Sequence, residues 1–152
     1  MGILSEAGCP AVADPGANLV ALAHRQGYEV RPLVGPSSLL LALMASGANG
    51  QSFAFKGYLP SEKDGRIQAL KALEQHSRKH GETQIFIETP YRNDALLADA
   101  VGQLHPATRL CVVCDLTLPT QTIISKAVAD WRKLKEMPNL KKRPAIFVLY
   151  AA

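Results

Sequence analysis

The chain has 152 residues, of which 47% are apolar and 20% charged, a composition typical of a globular protein. Its longest strongly apolar run, residues 39–45, is far too short to span a bilayer, and no basic stretch followed by an apolar one indicates a signal peptide. The three cysteines, Cys9, Cys111 and Cys114, lack disulfide-like spacing, which favours reduced thiols and a cytoplasmic location. The sequence therefore predicts neither a membrane protein nor a disulfide-stabilised secreted domain.

The net charge of +4 is distributed unevenly along the chain. Residues 126–143 carry a net charge of +5, and the rest of the chain carries −1. The basic residues of this segment are Lys126, Arg132, Lys133, Lys135, Lys141, Lys142 and Arg143. Such clustering favours a phosphate-rich partner such as RNA. A solvated helix and loop would have the same composition, so both interpretations stay open.

Residues 5–16, SEAGCPAVADPG, have the pattern of a turn between a strand and a helix. The apolar residues 2–4 predict the end of a β-strand, and Asp14 is the predicted N-cap of the helix that follows. Open α/β sheets bind ligands where a strand ends in small residues and leads into a helix. Gly8 lets a ligand approach the backbone, and Glu6 could accept hydrogen bonds from ribose hydroxyls or an amine. An ordinary connection with a solvated glutamate is the alternative.

The first third of the chain is otherwise predicted to be helix, strand and helix. The first helix covers residues 15–26, the strand residues 28–34, and the second helix ends at Ser46 and is apolar nearly all round, so it should be buried on several sides. Ser37 and Ser38 begin this second helix, beside free backbone N–H groups and the positive end of the helix dipole. An anionic or carboxylate group could bind there. Simple capping of the helix is the alternative.

A polar break at residues 48–51 predicts a linker to a second unit of alternating strands and helices. The predicted strands cover residues 52–56, 83–88, 108–114, 121–125 and 144–150. The predicted helices cover residues 61–79, with Ser61 and Asp64 as a capping box, 89–102 and 126–136. Arg66, on the first of these helices, is expected to be available to solvent or phosphate. The last strand is apolar on both faces and should be central in the sheet.

Of two residue pairs in this second unit, one is a candidate for binding a ligand and the other is interpreted as part of the core. Glu88 ends a predicted strand and Arg92 lies in the first turn of the next helix, where a cation is poorly placed and should have a partner. That partner is either Glu88, in a purely structural pair, or a bound anion.

Cys111 and Cys114 lie three residues apart in a strand and so face opposite sides of the sheet. They cannot easily chelate one metal, and we interpret both as core residues and predict no metal site.

The motifs of the chain, in order, are SEAGCPAVADPG, VGPSSLLLALMASG, FKGYLPSEKDGR, FIETPYR and CDLT, followed by an apolar strand. Together they resemble the tetrapyrrole methylase superfamily of S-adenosylmethionine-dependent methyltransferases, and in particular the branch that 2′-O-methylates a cytidine of small-subunit ribosomal RNA. The resemblance runs from Ser5 to the C-terminus. It implies an α/β fold of two domains with the cofactor between them. Residues 1–47 would end the first domain, residues 48–51 would be the linker, and residues 52–152 would form a C-terminal α/β domain with a mixed sheet.

Two stretches line the cofactor cleft in the relatives that the chain resembles. The family's Ser-Asp-Ala-Gly-Thr-Pro matches SEAGCP at residues 5–10, and its Pro-Gly-Pro-Ser matches VGPS at residues 34–37. The resemblance thus implies that S-adenosylmethionine is bound by Ser5, Glu6, Ala7, Gly8, Pro36, Ser37 and Ser38.

Two later motifs carry the predicted catalytic residues, which are Glu88, Arg92 and Asp115. The family's Glu-Ser-Pro-His-Arg matches ETPYR at residues 88–92, whereas the Arg-Glu-Leu-Thr-Lys of the ribosomal branch is represented by CDLTL at residues 114–118, which lacks both cations. Because a sulfonium-bound methyl group is already reactive, the protein mainly has to orient the acceptor and help a proton leave. Glu88 or Asp115 could act as the base for a hydroxyl acceptor, and Arg92 could hold phosphate.

The front of the chain differs from the resembled family, whose members have further strands and a glycine- and proline-rich loop before the SEAG motif. We therefore expect a methyltransferase parent, with this chain alone an inactive portion of it. A non-catalytic α/β fragment or RNA-binding module, and a methyltransferase of tetrapyrrole-like small molecules, are the alternatives. Unpaired strand edges near the N-terminus should promote self-association or leave residues 1–10 poorly ordered. The resemblance also implies a homodimer, and RNA is the other predicted partner.

Overall fold

A five-stranded mixed sheet forms the centre of the computed structural model, which describes residues 1–152. Its strands are β1 (Phe53–Tyr58), β2 (Thr83–Ile87), β3 (Arg109–Cys114), β4 (Thr122–Ala127) and β5 (Ala145–Tyr150). They are arranged in the order β1-β2-β5-β3-β4. Only β1 and β2 pair in parallel, and the other neighbours are antiparallel. The predicted α/β class, the mixed sheet and the central position of the last strand are confirmed.

Helices cover both faces of this sheet. The five helices are α1 (Ala17–Arg25), α2 (Ser38–Ser46), α3 (Lys63–His80), α4 (Asn93–Gln103) and α5 (Val128–Trp131). Buried residues of α2 pack on one face, and buried residues of α3, α4 and α5 pack on the other. Helix α1 has no buried residue. None of the five is both long enough and apolar enough to cross a lipid bilayer.

The larger core lies on the face covered by α3, α4 and α5. Phe86 of β2 and Phe147 of β5 stack there with ring centroids 5.6 Å apart, and the indole N–H of Trp131 donates to the Leu110 carbonyl at 2.8 Å. The predicted core positions of the two strand cysteines are confirmed: Cys114 is buried in this core and Cys111 in the smaller core under α2. Burial raises the pKa of the Cys111 thiol to about 11, so it stays protonated at neutral pH.

The strands predicted at residues 2–4 and 28–34 are absent, and this part of the sequence interpretation was wrong. A strand needs a neighbour that satisfies its backbone N–H and C=O groups. No strand of the sheet pairs with either segment, and Leu4, Leu33 and Val34 are almost fully exposed. Apolar residues alone therefore did not make these segments strands.

Helix boundaries also differ from prediction in the N-terminal half. Helix α1 begins after Gly16 rather than after Asp14, and α3 follows Glu62 with no side-chain cap, so the predicted capping box is not formed. Helix α2 ends at Gly47 as predicted, but it is buried on one side only, since Leu40 and Met44 are exposed. The all-apolar sequence of α2 therefore predicted more burial than the helix has.

Two further predictions fail on α4 and α5. Helix α4 begins at Asn93, three residues after Pro90. The helix predicted over residues 126–136 is reduced to the four residues of α5, because Lys126 and Ala127 extend β4 and pair with Leu110 and Arg109 of β3. Pairing in the sheet therefore overrode the helical pattern of this segment.

The segment between α2 and β1, predicted to be a linker, is fastened to the start of β2. The Asn49 side-chain amide donates to the Gly81 carbonyl at 2.7 Å, and the Thr83 hydroxyl donates to the Asn49 carbonyl at 2.8 Å. With α2 packed on β3, β4 and β5, these bonds hold the segment against the sheet. The division into two domains stays a prediction.

Glycine-to-alanine substitutions in two helices should have opposite effects on stability. Gly47 ends α2 with φ 71°, a left-handed conformation that costs an alanine about 1–2 kcal/mol. Gly102 lies within α4 with open space around it, so alanine there should add about 0.5–1 kcal/mol to the free energy of unfolding. Urea denaturation of Gly47→Ala and Gly102→Ala measures both. Equal shifts of the same sign would contradict this account.

Candidate active site

A cleft of about 550 Å³ opens at the edge of the sheet where β1, β2 and β3 end. These three strands run in the same direction, because β1 is parallel to β2 and both β2 and β3 are antiparallel to β5. Their carboxyl ends therefore meet at one edge, the usual ligand position in open α/β sheets. The strand residues that line the cleft are Tyr58, Ile87, Val113, Ala145 and Ile146, and Glu88 and Asp115, which directly follow β2 and β3, line it as well.

Residues from the N-terminal third also line this cleft. Ala7, Gly8, Pro36 and Ser38, all predicted to bind the cofactor, line it. The Cys9 thiol contacts the Pro36 carbonyl at 3.4 Å and so joins the two predicted cofactor stretches. An added Cβ at Gly8 would meet nothing within 4 Å, so the backbone there is open to a ligand.

Three other predicted cofactor residues do not line the cleft. The Ser5 hydroxyl donates to the Ala7 carbonyl at 2.7 Å, and Glu6 is exposed. Ser37 is buried at the N-cap of α2, and its carbonyl accepts a bond from the Leu41 N–H at 3.0 Å. The structure thus gives Ser5 and Ser37 roles in local backbone geometry.

Ser38, the first residue of α2, lines the cleft, so the N-terminus of this helix lies at the cleft wall. No side chain caps this helix, and its first N–H groups have no acceptor within the helix itself. Together with the helix dipole, they favour a negatively charged group at this position.

Glu88 is the most buried charged side chain on the cleft wall. Its side chain has no exposed surface, and its Oε1 accepts bonds from the Thr89 N–H at 2.6 Å and from the Arg92 guanidinium at 3.0 Å. Its Oε2 has no hydrogen-bond partner. Because a buried carboxylate oxygen without a partner is energetically costly, Oε2 is suited to accept a hydrogen bond or a proton from a ligand.

Arg92 bonds to Glu88 and does not itself line the cleft. The bond to Glu88 raises the pKa of its guanidinium above the ordinary value, so it is a permanent cation. Arg92 is the N-cap residue of α4, where a free cation would be unfavourable, and the ion pair explains its position. The predicted structural pairing of Glu88 and Arg92 is therefore present, and the remaining faces of Arg92 stay accessible to solvent.

Asp115 also lies on the cleft wall, but its carboxylate is already engaged. Its Oδ2 accepts bonds from Arg143 Nε at 2.8 Å and from the Thr120 hydroxyl at 3.0 Å. The Arg143 bond and, to a lesser degree, the Thr120 bond hold the pKa of Asp115 below its ordinary value, and partial desolvation opposes them. Asp115 and Thr117 both have left-handed backbone conformations, with φ 49° and 71°, which are uncommon for residues other than glycine.

Arg143 organises the loop that follows β3, a role that sequence reasoning missed. Besides Asp115, it donates to the carbonyls of Thr120 and Asn139 at 2.7 and 2.9 Å. Arg132, also counted in the basic segment, donates to the carbonyls of Val101 and Leu104 at the end of α4. Two of the seven cations of that segment therefore form hydrogen bonds within the protein.

The cleft contains other residues that the sequence analysis did not assign. Tyr58 ends β1, so the rule that ligands bind at strand ends could have identified it. Pro144, Ala145 and Ile146 lie at the start of β5, and they could not be assigned without knowing that β5 is antiparallel to its neighbours. No group of three or more histidine, cysteine, aspartate or glutamate side chains is arranged to hold a metal ion.

Acidification should destabilise the protein partly through Asp115. Because its pKa is lower in the folded than in the unfolded state, its contribution to stability is present above the unfolded value of about 3.9 and is lost as the pH falls through the folded value. Asp115→Asn, which tolerates the left-handed backbone, should show a shallower fall in Tm between about pH 5 and pH 2. Asp64→Asn, at an exposed carboxylate outside the ion pairs, is the control and should keep the wild-type slope. Identical slopes for Asp115→Asn and wild type would contradict the prediction.

Comparison with known sequences gives several related proteins, although no family model matches the chain. Ribosomal RNA small subunit methyltransferase I of Escherichia coli O157:H7 is 33% identical over 152 residues, which cover 98% of this chain and 51% of the relative. The protein of the same name from Neisseria meningitidis serogroup B is 34% identical over 150 residues, with 98% and 50% covered. The chain thus spans about half the length of the curated relatives it matches.

Solved structures share the fold at low sequence identity. The methyltransferase CobJ has a TM-score of 0.57 and 17% identity, with 95% of this chain and 67% of that chain covered. Diphthine synthase has a TM-score of 0.60 and 14% identity, with 95% and 57% covered. Uroporphyrin-III-C-methyltransferase from Thermus thermophilus has a TM-score of 0.51 and 19% identity, with 94% and 60% covered. The fold expected from the sequence is confirmed by these neighbours.

Proposed function

Because the chain belongs to the tetrapyrrole methylase superfamily and spans about half the length of its curated relatives, we propose that the intact protein transfers a methyl group from S-adenosylmethionine to RNA. The observation that carries the proposal is the cleft itself. Gly8, Pro36 and Ser38, which are expected to contact the cofactor, line the same cleft as Glu88, whose Oε2 has no partner. RNA is proposed as the substrate class because the similar curated proteins are named ribosomal RNA methyltransferases.

The residues of the cleft fit S-adenosylmethionine in size and in chemistry. A volume of about 550 Å³ lies within the range of about 300–1,000 Å³ that small-molecule sites have. The uncapped N-terminus of α2 at Ser38 suits the carboxylate of the methionine part, and the open backbone at Gly8 suits close packing against a ring or ribose. When bound, the cofactor supplies a methyl group on a positively charged sulfur, which is reactive without further activation.

Glu88 is the proposed base for a hydroxyl acceptor. Thr89 and Arg92 occupy its Oε1 and fix the carboxylate, and Oε2 has no partner. Because the side chain has no exposed surface, binding of the ligands has to open the cleft wall at Glu88 before Oε2 can take the proton of the acceptor. Asp115 is a poorer candidate for this step, because Arg143 and Thr120 already bind its Oδ2. We propose that Asp115 instead holds the loop that forms part of the cleft wall.

Calorimetric titration with S-adenosylhomocysteine, the product of methyl transfer, tests the cofactor assignment. We expect binding by the 152-residue chain, at least tenfold weaker binding by Gly8→Val, and unchanged binding by Gly27→Val. Gly27 is the matched control, because it is exposed, has open space around it, lies outside the cleft, and has nearly the same left-handed backbone, with φ 76° against 77° at Gly8. A folded chain that does not bind, or equal losses in both variants, would overturn the assignment of this cleft to the cofactor.

Three further expectations accompany the proposal. A non-catalytic RNA-binding module, the alternative from another functional class, would bind RNA and leave S-adenosylhomocysteine unbound in the same titration. A homodimer, implied by the family, is tested by light scattering of the purified protein. A cytoplasmic location, favoured by the reduced cysteines, is tested by cell fractionation.

A further inference from the structure

The basic residues near the C-terminus differ in what they can contact, and two of them lie beside the cleft. The Lys142 N–H donates to the Pro90 carbonyl at 3.1 Å, and the Asn93 side-chain amide donates to the Arg143 carbonyl at 2.8 Å. Pro90 itself lines the cleft. These two bonds fasten the loop of residues 139–143 to the chain that enters α4, at the edge of the cleft.

Further contacts hold the same loop in one conformation. The Leu140 N–H donates to the Asp94 carboxylate at 3.0 Å, and the Leu140 side chain is completely buried. The Lys141 N–H donates to the Asn139 side chain at 3.0 Å. The loop is therefore anchored by its backbone and by one apolar side chain, and its two lysine side chains remain free for a partner.

Lys142 occupies a backbone conformation that a lysine rarely adopts. Its φ is 60°, in the left-handed region where glycine or asparagine would be favoured. Local folding gives no reason for a lysine at this position, because its side chain is exposed and no acidic side chain forms an ion pair with it. A strained residue that is also charged and exposed points to a role in binding.

An exposed aromatic side chain follows Pro90, the residue whose carbonyl accepts the bond from the Lys142 N–H. Tyr91 follows Pro90 directly and is 78% exposed, and the Arg92 side chain is 44% exposed although one of its nitrogens bonds to Glu88. An exposed aromatic ring flanked by cations is the combination that binds single-stranded nucleic acid, because bases stack on the ring while cations contact phosphates.

We propose that Tyr91, Lys141 and Lys142 form a binding surface for single-stranded RNA at the entrance of the cleft, here called the entrance surface. This inference rests on the proposed function and adds the contact surface for the substrate. A base stacks on Tyr91, and the two lysines contact neighbouring phosphates, which directs the strand toward Glu88. The backbone of the loop is fixed by the Lys142–Pro90 bond, so binding has to order only the side chains of the surface.

The other cations of the basic segment are less suited to this role. Arg132 and Arg143 are bound to backbone carbonyls or to Asp115, and Lys133 forms an ion pair with Asp130 at 2.8 Å. Lys126 is partly buried in β4. Three cations of the segment, Lys135, Lys141 and Lys142, are therefore exposed and without an ion pair. Of these, the two lysines of the loop at residues 139–143 are the ones that the Lys142–Pro90 bond fastens beside the cleft.

Fluorescence anisotropy with a labelled single-stranded RNA 12-mer tests the entrance surface. We expect Lys141→Gln/Lys142→Gln to bind about tenfold more weakly and to lower the slope of log Kd against log salt by about 1.4, since each phosphate contact to a single strand contributes about 0.7. Tyr91→Ala should weaken binding by about 5- to 150-fold, the range for loss of one stacked base, with the salt slope unchanged. Lys133→Gln/Lys135→Gln, with the same change of charge outside the loop, should bind as wild type does.

Wild-type protein that does not bind the RNA, or equal losses in both lysine pairs, would overturn the proposal. Thermal unfolding of each variant separates a lost contact from a lost fold, and Lys142→Gly, which suits the left-handed backbone, repeats the test at that position without strain. S-adenosylhomocysteine binding in the same variants should be unchanged. If the variants behave as expected toward RNA but wild type does not bind S-adenosylhomocysteine, the methyltransferase proposal fails and the entrance surface stands. If wild type binds S-adenosylhomocysteine but the variants bind RNA as wild type does, only the entrance surface is rejected.

Discussion

In the intact protein, replacement of Glu88 by glutamine should lower the rate of methyl transfer to RNA by roughly 10²–10⁴-fold, the usual contribution of a general base. Glutamine has the same shape, and its side-chain carbonyl can still accept the bonds from Thr89 and Arg92 that now reach Oε1. The amide nitrogen that takes the place of Oε2 cannot accept a proton. Single-turnover transfer of a labelled methyl group measures the loss, and the affinity for S-adenosylhomocysteine should stay near the wild-type value.

Glu82→Gln is the matched control for this experiment. Glu82 precedes β2 and Glu88 follows it, so the same substitution is made at the two ends of one strand. The Glu82 carboxylate bonds to Gln84 and contacts Lys56 and His76, far along the strand from the cleft residues. Its replacement should leave turnover unchanged. Turnover that is equal in Glu88→Gln and in wild type would remove Glu88 from the mechanism.

Sequence patterns predicted the sheet well because its strands are buried and apolar. The patterns at β2, β3 and β5 identified buried strands, and the all-apolar sequence of β5 correctly placed it at the centre. The N-terminal segments were predicted from the same kind of apolar pattern, and the prediction failed. Residues 2–4 and 28–34 have no paired neighbour, and local sequence carries no information about whether a neighbour is present.

The position of the candidate site was also partly predictable. A carboxylate after a buried strand, as at Glu88 and Asp115, and a small-residue turn, as at Gly8, pointed to one edge of the sheet, and all three residues line the same cleft. The division of roles between the two carboxylates was not predictable. It depends on Arg143, which reaches Asp115 from 28 residues further along the chain and leaves Glu88 with the free oxygen.

Burial of individual cations was the least predictable feature. Arg66 lies on a long, polar helix and was expected to face solvent or phosphate, an expectation that is wrong. Its guanidinium is buried and donates to the Asp99 carboxylate through Nε at 2.8 Å and to the Ser61 carbonyl at 2.8 Å. Asp99 belongs to α4, so the side chain joins two helices whose contact the sequence of α3 does not reveal.

Loss of this ion pair should be among the most damaging single changes in the chain. Arg66→Met keeps the apolar stem but leaves Asp99, whose side chain is only 12% exposed, without a cation. Breaking a buried pair by removing one partner costs about 3–5 kcal/mol, because the remaining charge is desolvated without compensation. Urea denaturation should show this fall in the free energy of unfolding. Arg78→Met, on the same helix with its side chain 45% exposed and 4.0 Å from Glu74, should cost about 0–1 kcal/mol.

A double variant separates the uncompensated charge from the loss of packing. Arg66→Met combined with Asp99→Leu removes both charges and places apolar side chains between α3 and α4, and such replacements are often neutral or stabilising. The double variant should therefore recover most of the stability that Arg66→Met alone loses. If it stays as unstable as the single variant, the cost lies in the bond from Arg66 to the Ser61 carbonyl and in packing, and the ion pair is not what joins the two helices. If it recovers, the cost of the single variant is the uncompensated charge of Asp99, and apolar contacts between α3 and α4 can replace the ion pair.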